Sequence, residues 1–241
     1  MTQFVHKLFV WGQHCINALY PAQCIECGRY GELLCAVCAQ KVVPLSSSVC
    51  FCCGRPQPAP VQFCLTCQNR AAHALQMARA AAIFSEPLRT AIHHLKYEQK
   101  PELAQILARY LVAVFQTAPW SQRATSIDAV IPVPIHAERR TERGYNQAEL
   151  LAEWFCQTVA LPMRADWLWR WRATPSQVGL SAVERQRNVA DAFRVQAAVR
   201  GQTILLIDDV YTTGATLNAC ADELMRNGAK EVYALSLAMA A

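Results

Sequence analysis

The residues best suited to chemistry in this chain lie together in the segment 204–217, which has the sequence ILLIDDVYTTGATL. The segment begins with an apolar run of the kind that forms a buried strand in a parallel sheet. Asp208 and Asp209 follow it, and open α/β sheets bind ligands at the carboxyl ends of such strands. Hydroxyl groups and closely spaced N–H groups come next, at the start of a predicted helix over 215–227. Carboxylates suit sugar hydroxyls and a helix N-terminus suits a phosphate, so the segment can hold a phosphorylated ribose.

The same segment resembles the phosphoribosyl pyrophosphate (PRPP) loop of type I phosphoribosyltransferases. The resemblance implies that Asp208 and Asp209 bind the ribose hydroxyls and act in catalysis. It also implies a loop for the 5′-phosphate, made of six residues: Tyr211, Thr212, Thr213, Gly214, Ala215 and Thr216. The segment lacks the G-K-[ST] of an ATP-binding P-loop and the G-x-G-x-x-G of a dinucleotide fold. A plain strand-to-helix turn explains the threonine and the glycine, but not two adjoining carboxylates, whose repulsion requires a ligand or a cation.

The first third of the chain is rich in cysteine. Eight of the 12 cysteines form four C-x-x-C pairs, which are Cys24/Cys27, Cys35/Cys38, Cys50/Cys53 and Cys64/Cys67. Two such pairs separated by a short loop can complete one tetrahedral four-cysteine zinc site. The order of the pairs along the chain therefore predicts two structural zinc ions. Of the remaining cysteines, Cys52 is a competitor for metal, whereas Cys156 and Cys220 are expected to be buried.

Disulfide bonds are the alternative for these cysteines, and they require an oxidising compartment. The apolar segment 1–20 is interrupted by polar residues and does not have the pattern of a secretory signal. We therefore expect zinc rather than disulfides, and a cytoplasmic location. We also expect a short amphipathic helix in this segment rather than a membrane span.

Strands and helices are predicted to alternate after the cysteine-rich part. A strand over 77–84 precedes helices over 86–97 and 102–115, and a strand over 128–133 follows them. Alternation of this kind favours a parallel sheet. The net charge of +5 is too small to indicate a nucleic-acid partner by itself.

Polar residues follow the strand 128–133 over the segment 136–147, which has the sequence HAERRTERGYNQ. We expect a loop here, in which arginine side chains and backbone amides hold a highly charged anion. In type I phosphoribosyltransferases the corresponding loop holds the pyrophosphate, which implies this role for five consecutive residues: Arg143, Gly144, Tyr145, Asn146 and Gln147. The alternative is a solvated connection in which Arg139 and Arg140 pair with neighbouring glutamates.

The segment 174–188 lies between two short predicted strands, one over 167–171 and one near Phe193. We expect this segment to be a flexible lid, because closure must exclude water before the reactive bond of PRPP breaks. Four of its polar residues suit pyrophosphate: Thr174, Gln177, Arg185 and Arg187. The alternative is a surface hairpin with ordinary charges.

Several blocks of sequence together resemble the ComF family, whose bacterial members are linked to DNA uptake and competence. Besides the cysteine pairs, the blocks are H-x-L-K-Y at 93–97, P-V-P at 132–134, E-R-G-Y-N-Q at 142–147, T-P-S-Q-x-G-L-S at 174–181, E-R-Q-R-N-V at 184–189 and D-A-F at 191–193. The resemblance covers the chain from about residue 21 to its end. It implies an α/β type I phosphoribosyltransferase fold with a zinc-ribbon module. We predict a helix and zinc-ribbon module over 1–72, a helical hood over 73–126 and a phosphoribosyltransferase core over 127–241.

The resemblance implies displacement of pyrophosphate from C1 of PRPP, with Mg²⁺ bridging the pyrophosphate and the ribose hydroxyls. The transition state would resemble an oxocarbenium ion, which Asp208 and Asp209 would stabilise. The acceptor is not indicated, because no residue stands out as its base. The oligomeric state is not indicated either.

A second function fits the same residues, namely a competence factor that binds single-stranded DNA or a helicase partner. Three arginines lie among three tryptophans in the segment 164–172, which are Arg164, Arg170, Arg172, Trp167, Trp169 and Trp171. Such a segment can stack on bases and neutralise phosphates. Aromatic residues at a period of two more often pack against the protein, and the intact ligand loop favours the enzyme.

Overall fold

The structure is a computed structural model that describes residues 21–45, 48–69, 74–174 and 181–240 of the chain. The amphipathic helix predicted in the segment 1–20 lies outside the described residues, and so does Gln177. Among the helices in the described ranges, none combines the length and the hydropathy that a bilayer-spanning segment needs.

Helices and strands alternate through most of the described chain. The strands are β1 (Leu75–Ile83), β2 (Ala129–Pro132), β3 (Leu168–Arg170), β4 (Phe193–Val195), β5 (Thr203–Tyr211) and β6 (Glu231–Met239). The helices are α1 (Ala36–Ala39), α2 (Leu65–Gln68), α3 (Leu88–Tyr97), α4 (Leu103–Phe115), α5 (Ala137–Arg143), α6 (Gln147–Val159), α7 (Ala182–Val189) and α8 (Ala215–Arg226).

A parallel sheet lies at the centre of the fold. Its strands follow the order β1-β6-β5-β2, and every neighbouring pair is parallel. Strands β3 and β4 form a separate antiparallel hairpin. The prediction of an α/β fold with a parallel sheet is therefore confirmed.

Strand β5 is buried on both faces because its neighbours are parallel strands joined by helices. Ile204 and Leu206 pack on one face together with residues of α8, such as Leu217. Leu205 and Ile207 pack on the other face, among residues of α3, α4 and α6. Successive side chains alternate between the faces of a strand, so the residues that follow Ile207 also divide between these two layers.

Candidate active site and metal centres

The acidic pair lies within β5 rather than after it, in contrast to the sequence prediction. Strand β6 continues alongside, so that Asp208 pairs with Ser236 and Tyr211 with Met239, which keeps this part of β5 extended. On the other edge, β2 ends at Pro132, and the N–H of Val133 donates to the carbonyl of Ile207 at 2.9 Å. The acidic pair therefore lies just beyond the carboxyl end of β2, where an open sheet can admit a ligand.

Both carboxylates are buried, with Asp208 exposed by 8% and Asp209 by 4%. Asp209 forms an ion pair with the ammonium group of Lys96 on α3. The side chain of Gln147 donates a hydrogen bond to Asp209 Oδ1 at 3.3 Å. The protein itself thus supplies a cation that relieves the repulsion within this pair.

The ion pair gives the two carboxyl groups pKa shifts of opposite direction. Burial raises the pKa of Asp208 well above its ordinary value, and the charge of Asp209 adds to this effect. Burial acts on Asp209 in the same direction, but the charge of Lys96 together with hydrogen bonds from Asp208, Lys96 and Gln147 outweighs it, so the pKa of Asp209 is lowered. The pair therefore favours a proton on Asp208 and a negative charge on Asp209, which relieves their mutual repulsion.

Lys96 was missed as a site residue by the sequence analysis, although a signal was present. Helix α3 buries Leu88, Ala91, Ile92 and Leu95 along one face. Lys96 follows Ile92 by four residues and therefore lies beside the same apolar face. A lysine at such a position requires a buried partner, and the nearest acidic candidates in the fold are far away in sequence.

The turn between β5 and α8 is closely packed. Gly214 has φ of +76°, and a Cβ there would lie 2.5 Å from Cζ of the buried Tyr211 ring, so a side chain does not fit. Thr213 Oγ1 accepts a hydrogen bond from the N–H of Ala215 at 3.3 Å. Gly214 is the N-cap of α8, which is 12 residues long, and it has no side chain with which to cap the helix. The N–H groups in the first turn of such a helix favour an anion.

The segment 136–147 contains α5 and the turn that leads into α6, so the prediction of a loop is wrong for residues 137–143. Gly144 ends α5 in the left-handed conformation, with φ of +84°. Asn146 caps α6, because its side-chain oxygen accepts from the N–H of Ala148 at 3.1 Å. A glycine after one helix and an asparagine before the next stabilise both ends. The alternative pairing is also wrong for Arg140, which forms its ion pair with Glu149 at 2.8 Å.

The turn after α5 is joined to the end of α3. The hydroxyl of Tyr145 donates to the carbonyl of Leu95 at 2.6 Å. The Arg143 guanidinium lies 5.2 Å from the ring centre of Tyr97 and donates to the side chain of Gln147. Because Gln147 contacts Asp209, these bonds connect the H-x-L-K-Y and E-R-G-Y-N-Q blocks at the acidic pair.

The predicted lid contains a helix. The N–H of Ser181 donates to the Glu184 carboxylate at 2.8 Å, and the N–H of Glu184 donates to the Ser181 hydroxyl at 3.3 Å. This reciprocal capping box starts α7, so residues 182–189 of the predicted lid, which include Arg185 and Arg187, form a helix. The role of the segment as a lid stays a prediction. Thr174 is buried and accepts a hydrogen bond from Arg170.

The hairpin of β3 and β4 presents tryptophans to solvent. Trp169 and Trp171 are exposed by 46% and 42%, whereas Trp167 packs against the core. The expectation that the tryptophans pack against the protein is therefore wrong for Trp169 and Trp171 only. The Arg194 guanidinium lies 5.1 Å from the ring centre of Trp171, and Arg194 pairs with Trp169 across the hairpin. Arg170 is instead buried, with its guanidinium 5.6 Å from the ring centre of Phe193, and does not face solvent.

The eight paired cysteines form two clusters among the described residues, and each has the composition that the sequence predicts: Cys24, Cys27, Cys35 and Cys38; Cys50, Cys53, Cys64 and Cys67. Neighbouring sulfurs lie 3.6 to 4.0 Å apart. A tetrahedral zinc with Zn–S bonds of about 2.3 Å places its sulfurs about 3.8 Å apart, whereas a disulfide requires about 2.05 Å. The clusters therefore fit two zinc ions. Cys52 lies outside the second cluster, and its thiol faces the carbonyl of Leu75.

The two cysteine knuckles have the same backbone construction. Gly28 and Gly54 each follow the second cysteine of a pair with φ of +72°, and each donates its N–H to the carbonyl of the first cysteine. The second knuckle also binds the sheet, since the N–H of Ala78 in β1 donates to the carbonyl of Cys52 at 2.7 Å. Its Arg55 donates to the carbonyl of Thr212 in the turn before α8, also at 2.7 Å.

Comparison with known proteins identifies the family. A double zinc ribbon domain model matches residues 15–73, and a phosphoribosyl transferase domain model matches residues 170–239. The chain is 35% identical over 206 residues to DNA utilization protein YhgH of Salmonella typhimurium, which covers 83% of this chain and 87% of the relative. It is 30% identical over 225 residues to competence protein F of Haemophilus influenzae, which covers 90% and 97%. The chain belongs to the ComF family. A further ComF relative, competence protein ComFC of Bacillus subtilis, is 26% identical over 203 residues, with 82% of this chain and 80% of the relative covered.

Solved structures similar to this ComF protein include phosphoribosyltransferases. Purine phosphoribosyltransferase from Pyrococcus horikoshii matches 56% of this chain and 73% of its own, with a TM-score of 0.34 and 16% identity. A mutant hypoxanthine phosphoribosyltransferase from Trypanosoma cruzi, complexed with the product IMP, matches 56% and 64%, with a TM-score of 0.35 and 11% identity. The ComF protein has the phosphoribosyltransferase fold with an N-terminal zinc ribbon, as the sequence predicts.

Proposed function

We propose that this ComF protein binds PRPP together with Mg²⁺ and transfers the phosphoribosyl group to an acceptor. The proposal rests on the junction of β5 and α8. There a buried, charged Asp209 precedes a closely packed turn and the N-terminus of a 12-residue helix. Carboxylate oxygens accept hydrogen bonds from sugar hydroxyls, and the helix N-terminus favours a phosphate. The carboxylate and the helix N-terminus are close in sequence, as the ribose and its 5′-phosphate are adjacent in the substrate.

Each group of predicted site residues would bind a different part of PRPP. Asp208 and Asp209 would accept from the ribose hydroxyls, and residues 211–216 would surround the 5′-phosphate. Residues 143–147 and the lid residues Thr174, Gln177, Arg185 and Arg187 would bind the pyrophosphate. Mg²⁺, when bound, would neutralise pyrophosphate charge, and PRPP itself offers the oxygen ligands that this ion prefers, so the protein carboxylates need not contact the metal.

Lys96 supports this chemistry by keeping Asp209 ionised in a buried place. A negative carboxylate accepts hydrogen bonds more strongly than a neutral carboxyl group does. It also stabilises positive charge that develops at C1 as pyrophosphate leaves. The arginine side chains near the turn after α5 would neutralise the leaving group.

Calorimetric titration with PRPP tests the proposal. We expect binding that requires Mg²⁺ and weakens about tenfold or more in Asp209→Asn, which keeps the shape but removes the charge. Asp191→Asn is the control, because Asp191 is an exposed carboxylate outside the site. Since Asp209→Asn leaves Lys96 without its partner, the double variant with Lys96→Met serves as the folding control. Absence of PRPP binding by the wild-type protein would exclude the proposed function, and a screen for released pyrophosphate identifies the acceptor.

The names of the relatives, DNA utilization protein and competence protein, support a role in the use or uptake of external DNA. We propose that this role depends on the phosphoribosyl site. A strain with Asp208→Ala and Asp209→Ala and a normal protein level should lose DNA uptake. Undiminished uptake in that strain would contradict this link and favour a binding-only function.

A second candidate function is the binding of single-stranded DNA by the hairpin of β3 and β4. It is favoured by the exposure of Trp169 and Trp171 on the face that also carries Arg194. Exposed aromatic rings stack on bases, and nearby arginines neutralise phosphates. Fluorescence anisotropy with a labelled oligothymidylate tests it. Trp169→Ala and Arg194→Ala should weaken binding at least about fivefold, whereas Trp154→Ala on α6 should not. Equal affinities for all three variants would exclude the hairpin.

A further inference from the structure

The two cysteine knuckles are repeated units that end in the same dipeptide. Gly28-Arg29 follows the first C-x-x-C pair and Gly54-Arg55 follows the third. In both units the carbonyl of the arginine accepts a hydrogen bond of 2.8 Å from the N–H of the first cysteine. Because the backbones match, the side chains of the two arginines start from equivalent backbone positions. Any difference between their roles comes from what their side chains meet.

The surroundings of the two units differ at the glycine as well as at the arginine. A Cβ on Gly28 would meet nothing within 4 Å, whereas a Cβ on Gly54 would lie 2.5 Å from the carbonyl oxygen of Ala78 in β1. The second knuckle therefore lies against the sheet edge with no space between the two backbones. The Arg79 side chain of the same strand donates to the carbonyl of Phe51 at 2.7 Å, which adds a second attachment.

From this fixed base Arg55 contacts the turn before α8. Its guanidinium donates to the carbonyl of Thr212 at 2.7 Å, in a partly buried position. Arg29 is exposed. A hydrogen bond from a charged donor is stronger than a neutral one, and burial protects it from exchange with water.

We propose that Arg55 is a positioning residue for the phosphate-binding turn, which makes the second zinc knuckle part of the ligand site. This inference deepens the proposed function and rests on it. The Thr212–Thr213 peptide is trans, so its carbonyl and its N–H point to opposite sides of the backbone. Arg55 holds the carbonyl on the side of the knuckle and so directs the N–H of Thr213 to the other side. A rotated peptide would instead turn a partial negative charge toward a bound phosphate.

Matched variants of the zinc-loaded full chain test this assignment. Arg55→Met removes the donor at similar length, Arg29→Met makes the same change in the first knuckle, and Arg55→Lys keeps a charged donor. PRPP affinity is measured by calorimetry with Mg²⁺, zinc content by a colorimetric assay, and exchange of the amides of residues 211–216 by mass spectrometry. We expect Arg55→Met to weaken PRPP binding by about tenfold or more, as for loss of a bond to a charged group. It should also speed exchange in the turn and leave the zinc content unchanged.

Arg29→Met should leave all three quantities at their wild-type values, and Arg55→Lys should recover most of the affinity because an ammonium group can donate to the same carbonyl. Equal affinity and equal exchange in Arg55→Met and Arg29→Met would overturn the inference. Loss of zinc in Arg55→Met would overturn it too, because the side chain would then stabilise the knuckle rather than the turn. Failure of wild-type protein to bind PRPP would contradict the proposed function alone, since the exchange rates still report whether Arg55 holds the turn.

Discussion

Single residues in β5 combine two requirements that usually conflict. The strand is buried like the centre of any parallel sheet, yet it carries two adjoining carboxyl groups. Burying an unpaired carboxylate costs several kcal/mol, so the pair is tolerated because Lys96 supplies a cation and Asp208 favours its proton. The fold thus prepares one buried negative charge for a ligand and raises the pKa of the second carboxyl group.

Replacing the cation gives a prediction for stability. Lys96→Met should lower the free energy of unfolding by about 3 kcal/mol at neutral pH, because it leaves Asp209 charged and buried without a partner. The pKa of Asp209 is lowered in the folded protein, so the stabilisation from its pairing is present above the unfolded value of about 3.9 and is lost as the pH falls through the folded value. The difference between wild type and variant should therefore shrink at low pH. Urea unfolding between about pH 3 and about pH 8 measures it.

Lys100→Met is the matched control, because Lys100 is exposed shortly after the same helix. Its effect should stay within about 0.5 kcal/mol at every pH. A Lys96→Met deficit that does not change with pH would mean that lost packing of the side chain, rather than the pairing with Asp209, causes the destabilisation.

The residues predicted from sequence are those with local signals. The acidic pair and the cysteine clusters are defined by adjacent residues or by fixed spacing, and the structure brings each cysteine set together as expected. Lys96 and Arg55 have no such signal for their partners, because Asp209 and Thr212 are distant in sequence. Their roles depend on how α3 and the second knuckle pack on the sheet. That packing cannot be read from a single sequence before the fold is known.

At the scale of elements, the sequence prediction missed α5 and α7 because both segments are polar, although short capping patterns mark their ends. Gly144 and Asn146 end one helix and begin the next, and the Ser181 and Glu184 side chains start α7. Both patterns are visible in the sequence as G-Y-N and S-A-V-E. The apolar stripe of α4, by contrast, predicts its 13 residues almost to the ends. A long amphipathic pattern is a stronger signal than the composition of a few neighbouring residues.

The turn that joins β5 to α8 gives a prediction at this scale. Gly214→Ala forces a side chain into space that the Tyr211 ring occupies, at a backbone conformation with φ of +76°. We expect a loss of stability of about 2 kcal/mol or more, since strain and overpacking add, and a loss of PRPP binding. Gly228→Ala is the control, because φ there is +89° but the nearest atom to its Cβ would lie 3.5 Å away. Equal thermal stability and PRPP affinity in the two variants would show that the space over Tyr211 is not required.

At the scale of the whole molecule, the two zinc knuckles differ in how their cysteines pack against the hydrophobic core. The second cluster packs continuously with residues of the central sheet and of α8, such as Ile204 and Leu217. The cysteines of the first cluster form a separate small group, against which Ile106 on α4 packs, while Ile25 and Leu33 of this knuckle pack against the core that contains α3, α4 and α6. Both knuckles therefore contact the phosphoribosyltransferase fold, but only the second has its cysteines within one of the two large core clusters.

This asymmetry predicts different consequences for the loss of each metal. Wild-type protein purified without chelator should contain two zinc ions per chain, because each cluster provides four thiolates with tetrahedral spacing. Cys24→Ser should lose one zinc ion and lower the main thermal transition only modestly, because the cysteines of this site lie outside the two large core clusters. Cys50→Ser should lose the other ion and lower the main transition strongly, since removing a structural zinc costs several kcal/mol and this site is part of the sheet core. Zinc analysis and calorimetry of the two variants decide the matter. Equal shifts of the main transition would mean that both knuckles are integral to the core, and a wild-type content below two zinc ions would contradict the two-site assignment.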